Sequence, residues 1–207
     1  CWAIAGGLPS AFATDMPILI DFGNSGATSP SSYNNVSTLN AQGYKLTDSN
    51  GKKIAITLSI PMAFQAINVN GTTVPTSSAV FLSSATMDSF YGSTTVPQAV
   101  VRLSGLNPSY RYTFTLFASR IGVTDKRETT YQFTGSSALS PVYLDAANNT
   151  SNVVKISNVQ PSSSGVISIT VSKGRSGYNT NSSGFYYLGA LKIEDTAGTA
   201  PSPTPSP

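Results

Sequence analysis

A polar loop followed by three aromatic residues carries the side chains best suited to bind a ligand. Tyr178, Asn179 and Asn181 precede the aromatic run at positions 185–187. An aromatic ring can stack on the C–H face of a pyranose, and carboxamides can reach its hydroxyl groups. Side chains alternate along a strand, so Tyr186 points away from both aromatic neighbours. We predict that Tyr186 stacks on a sugar; the alternative is that these rings cover a sheet edge.

A second group combines the same residue types. Tyr33, Asn34 and Asn35 are consecutive, and Phe90 and Tyr91 follow an aspartate further along the chain. Tyr33 and Asn35 are therefore further candidates for contact with a sugar. Asn and Asp also shape turns through bonds to their own backbone, and the sequence favours that structural role here.

Two arginines flank a short charged loop. Arg120 and Arg127 enclose the stretch that contains Asp125 and Lys126. A guanidinium presents a planar fork that binds a carboxylate through two hydrogen bonds. Arg120 could hold an acidic sugar, or the arginines could join two strands through Asp21 or Asp88. The structural pairing is the favoured interpretation.

The composition argues against most enzymes. The chain has no histidine, and its one cysteine is Cys1, so a Ser-His-Asp triad, a Cys-His pair and a histidine metal site are excluded. The nine acidic residues are scattered, mostly near predicted turns or strand ends. Nothing in their spacing marks two of them as the acid and base of glycoside hydrolysis. We predict a protein that is not an enzyme and uses no cofactor. A calcium site is the open alternative, but the sequence has no Asp-x-Asp loop to support it.

The charges also limit the partners. Only 10% of the residues are charged, and 12 bases against 9 acids give a net charge of +3. Lys and Arg are not clustered as phosphate binding requires, so nucleic acid is excluded as a partner. Abundant Ser, Thr, Asn and Gly instead present hydroxyls and amides, as extracellular β-proteins and sugar-binding surfaces often do.

The elements that must position these residues are strands. Short runs rich in Val, Ile, Thr, Tyr and Phe alternate with Gly, Pro, Asn and Ser clusters, without a helical period. We predict an all-β fold, an antiparallel two-sheet β-sandwich or jelly roll of about ten strands. The predicted strands cover residues 18–22, 53–60, 79–82, 99–103, 111–119, 128–134, 142–144, 153–156, 166–171 and 185–193.

Local signals agree with this architecture. Turn sequences at positions 48–51, 68–71 and 161–165 lie where hairpins are expected. Leu106, Pro108 and Tyr112 have the spacing Leu-x-Pro-x-x-x-Tyr directly before a strand of period two. This pattern predicts a tyrosine corner, in which the Tyr112 hydroxyl bonds to upstream backbone.

The two ends differ from the body in composition. Residues 1–13 (CWAIAGGLPSAFA) have the form of a signal-peptide remnant cleaved after Ala13, with Cys1 either a lipidated terminus or, as we favour, an ordinary residue. Residues 198–207 alternate Pro with Ser or Thr, as an extended linker or a disordered tail does. We therefore predict a secreted or cell-surface protein with one binding domain at 14–197 and no membrane span.

An ordered set of short motifs resembles a group of secreted bacterial β-sandwich modules. The motifs are IDFG at 20–23, YNNV at 33–36, LTDSNG at 46–51, MDSF at 87–90, LSGL at 103–106, FASR at 117–120, RETTY at 127–131, LDAANNT at 144–150 and YLGAL at 187–191. These modules occur alone or appended to GDSL-type esterases and polysaccharide-active enzymes, and they look like galactose-binding-type jelly rolls and carbohydrate-binding modules.

The resemblance implies a non-catalytic module that binds a polysaccharide, with a catalytic domain further along the same chain. In that group Trp usually precedes the first Asn-Asn pair, whereas this chain has Tyr33, which weakens a stacking role there. The alternative is a structural or adhesive extracellular domain that self-associates or binds a protein, for which low charge and long β-edges would serve equally well.

Overall fold

The computed structural model describes residues 17–197. Within this range the chain forms fourteen strands, one 3₁₀ turn at Ser77–Ala79 and one short helix, α1, at Ser83–Thr86. The strands are β1 (Ile18–Phe22), β2 (Tyr33–Val36), β3 (Tyr44–Thr47), β4 (Lys53–Met62), β5 (Ala66–Asn68), β6 (Ser89–Gly92), β7 (Gln98–Ser104), β8 (Tyr110–Phe117), β9 (Glu128–Thr134), β10 (Val142–Asp145), β11 (Val154–Val159), β12 (Val166–Lys173), β13 (Tyr186–Leu188) and β14 (Ala190–Ala197). The predicted signal remnant (1–13) and linker (198–207) lie outside the described residues.

Three sheets organise these strands. One large sheet has the order β11-β8-β14-β1-β2, and the other has the order β10-β9-β12-β7-β4-β3. A small third sheet, β13-β6-β5, lies beside them. All pairs are antiparallel except β1 with β2. The predicted all-β sandwich is confirmed, and no helix in the described part of the chain is long and apolar enough to cross a membrane.

The main core lies between the two large sheets. Alternate residues of β12, Ile167, Ile169 and Val171, are fully buried, as the period of two requires. Phe114 of β8 meets Phe133 of β9 across the interface, with ring centroids 4.9 Å apart. The same alternation was visible in the sequence, which explains why the long strands could be predicted.

The predicted tyrosine corner is present. The backbone N–H of Asn107 donates a hydrogen bond to the Tyr112 hydroxyl over 2.9 Å. The turn at 48–51 closes the β3–β4 hairpin, with Asp48 accepting N–H bonds from Asn50 and Lys52 and Gly51 at φ 80°. The other two turns do not close hairpins: the turn at 161–165 joins β11 and β12, which belong to different sheets.

Several strand predictions were wrong. Residues 79–82 do not form a strand, because the 3₁₀ turn ends there and Val80 has φ 57°. The predicted strand 185–193 is two strands, β13 and β14, which separate at Gly189 and join different sheets. Four short strands were not predicted, namely β2, β3, β5 and β6. Their sequences are short or polar, so pairing with distant segments decides their conformation.

Candidate functional site

The small sheet and the β8–β9 loop together form a pocket with a volume of about 280 Å³. Its wall is partly aromatic and partly polar or cationic. The lining residues are Ile67 and Asn68 of β5, Val69 and Asn70 after it, Tyr91 of β6, Phe185 and Tyr187 around β13, and Arg120 and Arg127 at the two ends of the loop. We refer to this as the aromatic pocket.

Three rings of the aromatic pocket support one another. Tyr91 and Tyr187 are cross-strand partners in the β6–β13 pair, with ring centroids 6.1 Å apart. Phe185 stands edge-on to Tyr91, with centroids at 5.5 Å and an interplanar angle of 82°. Such contacts between aromatic rings add about 0.5–1.5 kcal/mol each beyond burial. The cluster is therefore held in place before any ligand arrives.

Arg127 is locked against this cluster. Its Nη1 donates to the Tyr187 hydroxyl at 2.5 Å, and its guanidinium carbon lies 5.1 Å from the centre of the Phe185 ring. Its Nε is 3.1 Å from Asp125 Oδ1. Burial would raise the pKa of the Asp125 carboxyl, but hydrogen bonds from Asn181 and Arg127 outweigh this effect and hold that pKa below its ordinary value. Asp125 is thus an anion that compensates the charge of Arg127.

Arg120 is the other cation of the pocket, and it has no such partner. Its backbone is fixed, because its N–H donates to the Ala146 carbonyl at 2.7 Å and its carbonyl accepts from Asn148 at 2.9 Å. Its Nη1 donates to the neighbouring Ile121 carbonyl. The ion pairs among residues 17–197 are Arg127–Asp125, Arg175–Glu128 and Lys192–Glu194, so Arg120 belongs to none of them.

Asn68, which lines the pocket, belongs to a network of buried polar side chains that also includes Asn149. The Asn68 Nδ2 donates to Ser89 Oγ and to the Ser119 carbonyl, each at 3.0 Å. Ser119 Oγ donates to the Asn149 carbonyl at 2.7 Å, and Asn149 Nδ2 donates to the Ala118 carbonyl at 2.9 Å. These bonds join the end of β5 to the segment after β8 and to the segment after β10. Asn70, which also lines the pocket, is exposed.

Two residues predicted to bind a ligand instead hold the pocket together. Asn179 is only 4% exposed, and its Nδ2 donates to the carbonyls of Glu128 at 2.8 Å and Phe185 at 2.7 Å. Asn181 Nδ2 donates to Asp125 Oδ2. Neither residue lines the aromatic pocket. Both residues lie beside the aromatic pocket and support its wall through these bonds.

Tyr178, also predicted as a site residue, is 52% exposed and lies outside the aromatic pocket. The Arg175 guanidinium lies between two rings, 4.1 Å from the centre of Tyr178 and 4.1 Å from that of Tyr143. Arg175 is in turn bound by both carboxylate oxygens of Glu128, at 3.0 and 2.6 Å. Tyr178 is therefore a surface aromatic with one face covered by a cation.

The prediction for Tyr186 requires a correction. Its side chain is fully buried, its hydroxyl donates to the Val96 carbonyl at 2.7 Å, and its ring packs near Phe64. Alternation does separate it from Phe185 and Tyr187, as predicted, but the two sides are reversed. The Tyr186 ring lies over Gly92 in the core, whereas Phe185 and Tyr187 line the aromatic pocket, Phe185 half-buried and Tyr187 only 2% exposed.

The second predicted group separates into different parts of the fold. Tyr33 is nearly buried, and its hydroxyl accepts a hydrogen bond from the Leu82 N–H at 3.2 Å beside a broad groove of about 750 Å³. Asn35 bonds the backbone of Ser29 through both its side-chain atoms, at 2.8 and 3.0 Å, which is a structural role. Tyr91 alone of this group lines the aromatic pocket.

The proposed pairing of arginines with Asp21 or Asp88 was wrong. These two carboxyls are 3% and 2% exposed, interact with each other, and each has a buried Oδ1 without a hydrogen-bond partner. Burial raises the pKa of each to about 6. Neither lines the aromatic pocket. No group of three or more Cys, Asp or Glu side chains that could hold a metal exists in the described range.

Sequence reasoning missed Phe185 and Tyr187 as pocket-facing rings, and it did not connect them with Tyr91 or Asn68. A signal was present in the case of Tyr187, since it belongs to the same aromatic run as Tyr186. Choosing the correct face of the strand required knowledge of its partner β6, which a single sequence does not reveal.

Comparisons with solved structures gave matches of low identity, with TM-scores below 0.5 for those described below, whereas no protein-family model and no curated protein matches the sequence. The extracellular domain of ANXUR1 from Arabidopsis thaliana has a TM-score of 0.43 and 9% identity over 68% of this chain. Xyl-CBM35, in complex with a glucuronic acid-containing disaccharide, has a TM-score of 0.36 and 16% identity over 70%. The family 32 module of C. perfringens NanJ, in complex with galactose, has a TM-score of 0.33 and 12% identity over 68%.

The matched lengths differ between these proteins. The matched region covers 42% of the ANXUR1 chain, so this chain spans less than half of that protein, but it covers 99% of Xyl-CBM35 and 94% of the NanJ module. Two of these three matched structures are carbohydrate-binding modules.

Proposed function

We propose that this domain binds carbohydrate in the aromatic pocket and carries out no chemistry on it. The observation that supports this most directly is the pair of half-buried rings Tyr91 and Phe185, backed by the nearly buried Tyr187 and lying beside two guanidinium groups. Sugars expose apolar C–H faces and polar hydroxyl rims, and this pocket offers matching surfaces for both.

The size of the pocket indicates how much of a polysaccharide it could hold. Its volume of about 280 Å³ is at the lower end of ligand pockets, which span roughly 300–1,000 Å³. That space suits one sugar or a chain end more than a long stretch of polymer. A rigid pocket also loses little conformational entropy on binding, which favours a measurable affinity for a small contact area.

The carboxylates of the domain support a non-catalytic role. A glycosidase needs one protonated and one ionised carboxyl on either side of the scissile bond. Asp125 bonds the Arg127 side chain of the pocket wall, and its bonds to Arg127 and Asn181 keep it ionised. Asp21 and Asp88 have the raised pKa that an acid catalyst needs, but both are buried away from the pocket.

Calorimetry and affinity electrophoresis against a panel of soluble polysaccharides test this proposal. Tyr91→Ala should weaken binding to any retained glycan by about tenfold, because it removes an aromatic surface and the support of Phe185. Tyr110→Ala is the matched control, since Tyr110 is also half-buried but lies at the start of β8, far from the pocket. A folded protein that binds no glycan, or equal losses in the two variants, would contradict the proposal.

We further propose that the domain is exported and acts beside a catalytic domain, such as a GDSL-type esterase or a polysaccharide-active enzyme. The low charge of the surface and the Pro/Ser/Thr composition of residues 198–207 support this arrangement. Sequencing the gene beyond the codon for Pro207 tests it directly. An immediate stop codon would remove the appended enzyme from the proposal, while the sugar-binding role of the pocket would stand.

A further inference from the structure

We propose that the sugar bound in the aromatic pocket carries a carboxylate, so that the ligand is a polysaccharide containing uronic acids. This inference rests on the proposed function of the same pocket. The supporting observation is the charge of the pocket wall: its two charged residues, Arg120 and Arg127, are both cations.

Arg127 is already committed to the protein. Its Nε bonds Asp125, its Nη1 bonds the Tyr187 hydroxyl, and Phe185 lies against its plane. Its side chain is only 12% exposed. Arg127 therefore orients the rings and is electrically balanced by Asp125, which leaves Arg120 as the group able to receive an anionic ligand.

Arg120 has the free hydrogen-bonding capacity that such a ligand requires. A guanidinium has five N–H donors, and the bond to the Ile121 carbonyl occupies Nη1 alone. The fixed backbone between Ala146 and Asn148 limits where the guanidinium can move. A planar carboxylate would accept two parallel, charge-assisted hydrogen bonds from this fork, and these are stronger than the bonds that neutral hydroxyl groups can accept.

The neighbouring acid does not cancel this charge. Asp145 is close in the chain to the residues that fix Arg120, but its Oδ1 accepts the backbone N–H groups of Arg127 and Ala147, both at 2.9 Å. It forms no ion pair with Arg120 and does not line the pocket. Lys126, exposed in the same loop, adds a further positive charge nearby. An incoming carboxylate therefore meets an excess of positive charge at the wall.

The test compares one polysaccharide in two chemical forms. Calorimetry on the 207-residue chain would use oligogalacturonide and glucuronoxylan, each beside the same material after reduction of its carboxyl groups. We expect the carboxylate forms to bind about tenfold or more tightly than the reduced forms. Equal affinity for the two forms, or binding to neither form, would overturn this inference but leave the sugar-binding function intact, whereas a failure to bind any glycan of the wider panel would remove both.

Variants then assign the effect to Arg120. Arg120→Gln should abolish the preference for the carboxylate form, so that the two forms bind with about equal affinity. Arg120→Lys should restore only part of the preference, because the ammonium keeps the charge but lacks the fork. Arg102→Gln removes the same charge from an exposed position on β7 and should change nothing. Preference for a sulfated polysaccharide over the carboxylate form, or an unchanged preference in Arg120→Gln, would overturn the assignment.

Discussion

The ring of Tyr186 occupies the space in which a β-carbon on Gly92 would stand. The two residues are cross-strand partners in the β6–β13 pair, and a β-carbon on Gly92 would lie only 2.1 Å from two atoms of the Tyr186 side chain. The missing side chain therefore allows the ring to cross β6 and reach the Val96 carbonyl. This fit fixes the side of β13 on which the Tyr186 ring lies, and strand alternation then places the Tyr187 ring on the opposite side, in the wall of the aromatic pocket.

Gly92→Ala should therefore destabilise the fold. The added methyl group forces the Tyr186 ring to move, and overpacking of this kind costs about 1–3 kcal/mol of unfolding free energy. Chemical denaturation measures the change. Gly26→Ala is the matched control, because the nearest atoms to a β-carbon there are 3.7 Å away and belong to Asn24. Equal stability of both variants would show that the ring can shift at no cost.

The residues that could be predicted from the sequence are those whose surroundings are local. Tyr112 could be placed because Leu106 and Pro108 precede it at a fixed spacing, and its bond partner Asn107 is five residues away. The alternation of β12 likewise depends only on its own sequence. These features are decided within a few residues, so one sequence is sufficient to find them.

The pocket could not be predicted because its parts are distant along the chain. Tyr91 and Tyr187 meet only through the pairing of β6 with β13, and Arg127 reaches Tyr187 across 60 residues. Periodicity assigned Tyr186 to the side opposite its neighbours but could not say which side faces water. The side taken by the Tyr186 ring depends on the space above Gly92, a residue that the sequence alone does not connect with Tyr186.

Tyr187→Phe should weaken glycan binding with little loss of stability. The substitution keeps the ring contacts with Tyr91 and Phe185 but removes the hydroxyl that accepts the Arg127 hydrogen bond. A bond of this type to a charged group contributes about 1.5–3 kcal/mol, part of which Arg127 recovers from water or Asp125. We expect a several-fold loss of affinity by calorimetry. Unchanged affinity would mean that Arg127 does not need Tyr187 to hold the rings.

Asp21 and Asp88 should make the domain less stable as the pH rises through about 6. Burial raises the pKa of each from 3.8 to about 6, and for Asp21 the nearby Asp88 carboxyl adds to the rise against hydrogen bonds from Ser29. The folded state thus holds these protons more tightly than the unfolded state does. The resulting stabilisation is complete below pH 3.8 and is lost as the pH rises through the folded pKa of about 6.

Asp88→Asn tests this pH dependence, because the amide is neutral at every pH. The Asn24 N–H that bonds Asp88 Oδ2 can still bond the amide oxygen. We expect the melting temperature at pH 8 to exceed that of the native chain by about 2–4 °C, and the difference to disappear or reverse near pH 4. Asp48→Asn, at a carboxylate in the β3–β4 turn, is the control and should not show this pattern. A constant difference between pH 4 and pH 8 would contradict the prediction.

Asn179→Ala distinguishes a residue that supports the pocket from one that binds the ligand. Its side chain donates to the carbonyls of Glu128 and Phe185, and at 4% exposure water could not easily replace it as the donor. The Glu128 carbonyl also accepts a hydrogen bond from the Gly174 N–H. Leaving two buried carbonyls without this donor should cost about 2 kcal/mol, which lowers the melting temperature by about 4–8 °C. Exposed Asn40→Ala is the control for loss of a carboxamide. Well below the melting temperature, where Phe185 remains in place, the Asn179→Ala variant should bind glycan within about threefold of the native chain. An unchanged melting temperature together with lost binding would instead make Asn179 a direct contact of the sugar.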